Sequence, residues 1–228
     1  MALSAQTIIE RNSLFRGLPA ATIDRVAALA TRRIYDEGAV IFMRGDPGDS
    51  LCGVATGRVR ISTTGPRGKE VFLNIMEPGD AFGEIALLDG SPRTATATAM
   101  SRTELFIVPR DAFSALLESQ PRLAVHLIQL LCKRVRWTSE QMEDSALLSV
   151  PARLAKRVLS LASAYGREAT TGTRITLSQE ELAQFLGLSR QIVNQHLQTW
   201  RASGWISLGR GSITLEAPGA LKKVIDEA

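Results

Sequence analysis

The sequence predicts an α+β protein in three consecutive parts: a compact antiparallel barrel or roll, one long helix, and a winged helix–turn–helix. Three observations predict it. Short β-rich runs broken by Gly, Pro and Asp fill residues 36–113; a stretch free of Gly and Pro joins Pro121 to Pro151; and two capped helical patterns follow, ahead of a last pair of β-runs. The expected divisions are residues 1–120, 121–147 and 148–228.

Composition bounds the function. At 228 residues and 45% hydrophobic content the chain can bury a sizeable core. Its longest apolar runs fall far short of the roughly 20 residues of a spanning helix. Its start, "MALSAQTIIERN", lacks the charged-then-apolar order of a secretion signal, so a cytoplasmic protein with no membrane partner is expected. Cys52, Cys132, His126 and His196 are too few and too scattered for a disulfide framework, an iron–sulfur cluster or a metal site. Both thiols are expected to be buried or half-buried. The net charge of +4 sits in the last third: residues 151–228 hold ten Lys and Arg against six Asp and Glu, while residues 1–150 hold seventeen of each. That excess fits an anionic partner for the C-terminal part, or merely a solvated face.

In chain order, "LPAATIDRVAALATRR" reads as a short helical segment, with Pro19 near its start and Ile23, Val26 and Ala27 at helical spacing. The runs "AVIFMRG", "GRVRIST", "KEVFLNI", "TATATA" and "TELFIV" then read as strands, separated by turns such as "RGDPGDS" and "TGPRGKE". From Pro121 the period becomes helical. Ala124, Ile128, Leu131, Val135, Thr138, Met142 and Ser145 alternate steps of four and three, the seam of a coiled coil, which predicts a homodimer. Leu127, Leu130 and Trp137 lie off the seam and predict packing of one flank on the chain's own domain; Arg134 and Arg136 beside it temper an all-apolar zipper. After Pro151 come a helix, "ARLAKRVLSLASA", and a polar loop, "YGREATTGTR".

Two helices joined by a tight turn follow. Ser178 with Glu181 is a capping box, Leu182, Phe185 and Leu186 form one apolar face, and Gly187 ends the helix. Ser189 caps the second helix, in which Ile192, Val193, Leu197 and Trp200 are expected to pack inward. That leaves Arg190, Gln191, Asn194, Gln195 and Gln198 exposed, side chains that suit guanine and adenine edges in a major groove, with no Lys or Glu in residues 189–200. "GWISLGRGSITL" reads as a wing, with Arg210 at its tip placed for phosphate. An interaction helix with amide-rich solvent contacts is the plain alternative. Double-stranded DNA is the expected partner, read by Ser178, Ser189, Arg190, Gln191, Asn194 and Gln195 with Arg210 on the backbone.

The segment "GEIALLDGSPRTATATA", residues 83–99, sets Glu84 directly after a glycine and Arg93 nine residues later. With "EGAVIFMRGDPGDS…ATGRVRI", "KRVRWTSEQMEDSALL" and "LGLSRQIVNQHL" it carries a resemblance over nearly the full length: the chain resembles transcription regulators of the cyclic-AMP receptor protein and fumarate/nitrate regulator superfamily. The resemblance implies a cyclic-nucleotide-binding β-roll (a double-stranded β-helix, or jelly roll), a dimerising helix and a winged helix–turn–helix. It implies that Gly83, Glu84 and Ile85 line the ribose-phosphate, Glu84 taking the 2′-hydroxyl. Arg93 would hold the phosphate, Thr94 would add a hydroxyl, Leu73 would touch base or sugar, and Thr138 and Ser139 would touch adenine across the dimer. The physics agrees, since helix N-termini favour anions and arginine–phosphate pairs are among the stronger polar contacts.

The resemblance also sorts the alternatives. An oxygen sensor would carry N-terminal cysteines and residues 1–50 have none; a haem sensor would carry a histidine in the roll, whereas His126 lies on the long helix. Gln191 and Gln195 replace a glutamate and an arginine of the cyclic-AMP receptor protein, which predicts a different operator. Thr94 after Arg93 matches a cyclic-GMP pattern and Thr138–Ser139 a cyclic-AMP pattern. The expectation is a non-enzymatic dimeric regulator that binds operator DNA when cyclic AMP is bound, meets RNA polymerase, and uses no metal, haem or iron–sulfur cluster. A constitutive regulator, or one gated by cyclic GMP or cyclic di-GMP, stands as the alternative.

Overall fold

Glycine and proline punctuation cuts the first half of the chain into strands of two to seven residues, each too short to stand without a neighbour. The structure, a computed structural model, describes residues 5–65, 68 and 70–227. In chain order come α1 (Ala5–Arg11), α2 (Ala20–Leu29), β1 (Thr31–Tyr35), β2 (Val40–Phe42), β3 (Ser50–Thr56), β4 (Val59–Thr64), β5 (Glu70–Met76), β6 (Ala81–Phe82), α3 (Glu84–Asp89), β7 (Thr96–Ala99), β8 (Thr103–Pro109), α4 (Arg110–Ser119) and α5 (Pro121–Leu147). Then follow α6 (Val150–Tyr165), β9 (Arg167–Ala169), β10 (Gly172–Ile175), α7 (Gln179–Leu186), α8 (Arg190–Ala202), β11 (Ile206–Gly209), β12 (Ser212–Leu215) and α9 (Pro218–Asp226). The chain divides into two compact units, Met1–Lys69 with Leu73–Val135, and Glu70–Phe72 with Arg136–Ala228.

In the first unit two four-stranded sheets, ordered β1-β8-β3-β6 and β2-β7-β4-β5, form the roll. Cys52, Val54, Phe82 and Leu105 from one sheet meet Val59, Met76 and Ala97 from the other in a core between them. The outer face of the first sheet packs Leu51, Phe106 and Val108 on Ile9, Phe15, Val26, Phe113, Leu123 and Leu127, so the helices cover one side of the roll. Burying that many large side chains, at about 1.5–3 kcal/mol each, is what fixes the cover. On α5, Leu123 and Leu127 are buried, while Ile128, Val135 and Met142 are 58%, 65% and 70% exposed at heptad spacing. Those three belong to the expected seam. Cys52 is buried as expected, but Cys132 is exposed, because it lies on the face of α5 turned away from the roll core.

The second unit carries the sheet β11-β12-β10-β9 beside its helices. Its β9–β10 hairpin corrects the expected polar loop at "YGREATTGTR": Thr173 pairs with Glu168 and Leu215, so the segment is held by backbone bonding to the wing. Arg157 of α6 stacks on Trp137 and Phe185, with ring centroids 5.7 and 5.4 Å away, and burial lowers its pKa from the ordinary value. No helix among the described residues is long and apolar enough to cross a membrane.

Candidate functional site

The residues after β6 fold so that the acid and the arginine of the opening segment face one cavity. Gly83 turns the chain at φ +85°, a left-handed conformation that residues with a Cβ avoid. Glu84 thereby opens α3 with 1% exposure. Arg93, 4% exposed, arrives from the loop before β7. Its Nη1 donates to Gly83 O at 2.8 Å and its Nη2 to Ser50 O at 2.9 Å and Ser50 Oγ at 3.1 Å, with an Asp49 carboxylate oxygen 3.6 Å away. Arg110, the first residue of α4, braces the outside. Its Nε donates to Gly48 O at 3.0 Å and its Nη2 to Ala86 O at 2.7 Å, tying the loop before β3 to α3.

Phe42, Phe82, Glu84, Arg93, Thr94 and Arg134 are on the wall of this cavity, which encloses about 60 Å³. Two residues on that wall each have one buried polar atom, Glu84 Oε2 and Arg93 Nε, with no hydrogen-bond partner among the described residues. An orphaned buried acceptor or donor costs about 1–3 kcal/mol, so a pair of them in residues that line one cavity needs a reason. A ligand that brings a hydroxyl to the carboxylate and an anionic oxygen to the guanidinium would satisfy both.

Arg134 of α5 holds the other oxygen. Its Nη1 pairs with Glu84 Oε1 and its Nη2 donates to Ala81 O at 2.6 Å. The seam pattern alone puts Arg134 beside the coiled-coil stripe and gives no sign of this pairing, because its partner is fifty residues upstream. Burial pushes the Asp80 carboxyl above its ordinary value, opposed by the Glu77 amide and then the Arg134 guanidinium. Burial also pushes the Cys52 thiol up to about 12, against the pull of Arg93, which leaves it protonated and unreactive. Gly83, Glu84, Ile85, Arg93 and Thr94 are thus brought together. Leu73 on β5 is 37% exposed, Thr138 and Ser139 are exposed on α5, and none of the three is on the cavity wall.

The second unit presents a separate polar groove. The Ser178 Oγ accepts from Glu181 N at 3.1 Å and the Glu181 carboxylate accepts from Ser178 N at 2.7 Å, the capping box expected there. Gly187 ends α7 at φ +63°, and the Ser189 Oγ accepts from Ile192 N at 3.3 Å to start α8. Val193, Leu197 and Trp200 are buried, so Arg190, Gln191 and Gln195 face outward. Ser178, Gln179, Glu180 and Arg190 line a groove of about 310 Å³ together with Gly209, Gly211 and Ser212 of the wing turn, where Arg210 is exposed. Two expectations are corrected. Ile192 is 39% exposed rather than inward, since it sits one residue off the buried stripe. Asn194 and Gln198 are half-buried, and Gln198 Nε2 donates to Asn194 Oδ1 at 3.2 Å.

Both sites match known families. Residues 32–120 match the family model described as cyclic nucleotide-binding domain, and residues 152–224 that described as Crp-like helix-turn-helix domain. A CRP-like cAMP-activated global transcriptional regulator of Mycobacterium tuberculosis is 33% identical over 210 residues, covering 91% of this chain and 94% of that protein. The chain belongs to the CRP/FNR family of transcription regulators. A cyclic AMP receptor protein of Thermus thermophilus is 32% identical over 211 residues, 92% of this chain and 95% of its own. Among solved CRP/FNR structures, the c-di-GMP responsive global regulator CLP of Xanthomonas campestris superposes with a TM-score of 0.78 at 25% identity, covering 86% of this chain and 99% of that one. The Thermus thermophilus catabolite activator protein gives 0.56 at 31% identity, covering 95% and 99%. As a CRP/FNR member, the chain is a transcription regulator with a cyclic nucleotide-binding domain and a DNA-binding helix–turn–helix.

Proposed function

We propose that the chain works as a homodimer that binds pseudo-palindromic operator DNA when a cyclic nucleotide, cyclic AMP in preference, occupies the roll. The observation that carries the reading is the pair of orphaned buried atoms, Glu84 Oε2 and Arg93 Nε, in two residues that line one cavity. A ribose hydroxyl donates to the first and a phosphate oxygen accepts from the second. The names of the Mycobacterium and Thermus relatives support cyclic AMP. Thr94 on the same wall keeps cyclic GMP as the second reading. At about 60 Å³ the cavity is smaller than the roughly 300 Å³ from which ligand pockets begin, so Arg134 withdraws for a nucleotide to enter. Thr138 and Ser139, further along α5, touch the base across the dimer.

A second copy covers the exposed Ile128, Val135 and Met142 stripe. The nucleotide shifts a pre-existing equilibrium toward the dimer whose two α8 helices are one DNA turn apart, and the DNA-bound dimer meets RNA polymerase. Ser178, Ser189, Arg190, Gln191, Asn194 and Gln195 form the reading surface, and Arg210 meets the backbone. Titration calorimetry with cyclic AMP, cyclic GMP and cyclic di-GMP tests the effector, with sedimentation for the dimer and operator binding with and without nucleotide for the gating. Absence of binding by all three nucleotides below millimolar levels overturns the sensor. Equal operator affinity with and without nucleotide replaces gating by a constitutive reader. Arg190→Ala is expected to cost about 1–3 kcal/mol on operator and to relax specificity at one position per half-site; equal losses on operator and random DNA would make Arg190 a phosphate contact instead.

A further inference from the structure

β2 does not run regularly along its neighbour. Val40 lies opposite Thr98 and Phe42 opposite Ala97 on β7, so one extra residue, Ile41, is inserted on β2. Such a bulge re-aims the side chain that follows it. In an unbroken strand Phe42 would share the face of Val40, which is 48% exposed. Here Ile41 and Phe42 both pack on the core between the sheets. The Phe42 ring lies under the Arg93 guanidinium, with Cζ 4.3 Å from its centroid, and packs on Phe82 at 5.8 Å, the residue immediately before Gly83.

Arg93 is a planar group held in two ways. Its outer nitrogens are fixed in-plane by Gly83 O and Ser50, and one face rests on Phe42. The nitrogen left over is Nε, buried and unpaired. We infer that Phe42 is the positioning residue for the effector's phosphate: its ring sets the plane of the Arg93 guanidinium so that the Nε edge faces the cavity. This rests on the cyclic-nucleotide reading above. An aromatic face under a guanidinium adds attraction as well as orientation, and the strength of the contact grows as water is excluded.

The test separates ring chemistry from bulk. Phe42→Met keeps an apolar side chain on the core and removes the ring, whereas Phe42→Tyr keeps the ring. Cyclic AMP and cyclic GMP affinities are measured by calorimetry for the wild type and both variants, with thermal melts alongside. Phe42→Met is expected to bind about 3- to 30-fold more weakly, and Phe42→Tyr to return to within about twofold of the wild type. Wild-type-like binding by Phe42→Met overturns the inference, and so does equal weakening in both variants. A wild type that binds neither nucleotide overturns the underlying reading instead. Should Phe42→Met fail to fold, the wild type decides the question. The Arg93 Nε–H proton is expected to be shifted upfield by the ring current, and an unshifted, rapidly exchanging resonance overturns the inference.

Discussion

Arg93→Ala is expected to lower cyclic-nucleotide affinity by about 1.5 to 3.5 orders of magnitude. Truncating one member of a buried, hydrogen-bonded charge pair costs about 2–5 kcal/mol, and each 1.4 kcal/mol or so is a factor of ten. Arg93 is 4% exposed, so water cannot take over its contact with the phosphate. The loss has a second source. Gly83 O and Ser50 O both accept from the guanidinium, and removing it leaves two carbonyls to find other donors. The turn that aims Glu84 therefore loosens together with the phosphate contact. Arg93→Lys is expected to fall between the two, since an ammonium keeps the charge but cannot span both carbonyls as the planar fork does. Calorimetry on the three proteins reads the order directly, and an Arg93→Ala protein with wild-type affinity would place the phosphate elsewhere.

What the sequence disclosed is what short-range chemistry determines. The capping box of Ser178 and Glu181, the stop at Gly187 and the span from Pro121 to Leu147 depend on residues within one or two turns, and each was legible. The β9–β10 hairpin was not, because it shows neither alternation nor an apolar run: within it only Ile175 is buried, and pairing with β12 supplies its order. β1 was hidden for a similar reason, since "TRRIY" is exposed at four of five positions and reads as a helix tail. At the candidate site the Glu84–Arg93 spacing was visible, but Arg134 and Phe42 were not. One is joined to Glu84 across fifty residues, and the other is turned inward by a bulge that no local pattern announces. Long-range partners and register shifts are tertiary facts, and they are also what orients the two charged groups.

Breaking the Glu84–Arg134 pair from one side is expected to cost the fold more than removing both charges. The partners are unequal: the Glu84 side chain is 1% exposed and that of Arg134 is 28%. Arg134→Met strands a carboxylate with no access to water, a situation that costs about 3–5 kcal/mol. At roughly 2–4 °C per kcal/mol for a chain of this length, the roll should melt about 6–20 °C lower. Glu84→Gln leaves an arginine that can turn to solvent, so its cost should stay near 1 kcal/mol or below, in the range of exposed pairs. The double variant Arg134→Met, Glu84→Gln has no buried charge left and is expected to recover most of the loss, since apolar or neutral replacements of a buried pair are often close to neutral. Calorimetric melts of the three variants give the coupling, which is significant only if the double variant is more stable than Arg134→Met. An Arg134→Met protein that melts with the wild type would mean that Glu84 is solvated after all. That result would remove the reason for expecting its second oxygen to wait for a ribose hydroxyl, because a solvated carboxylate already has water to accept from.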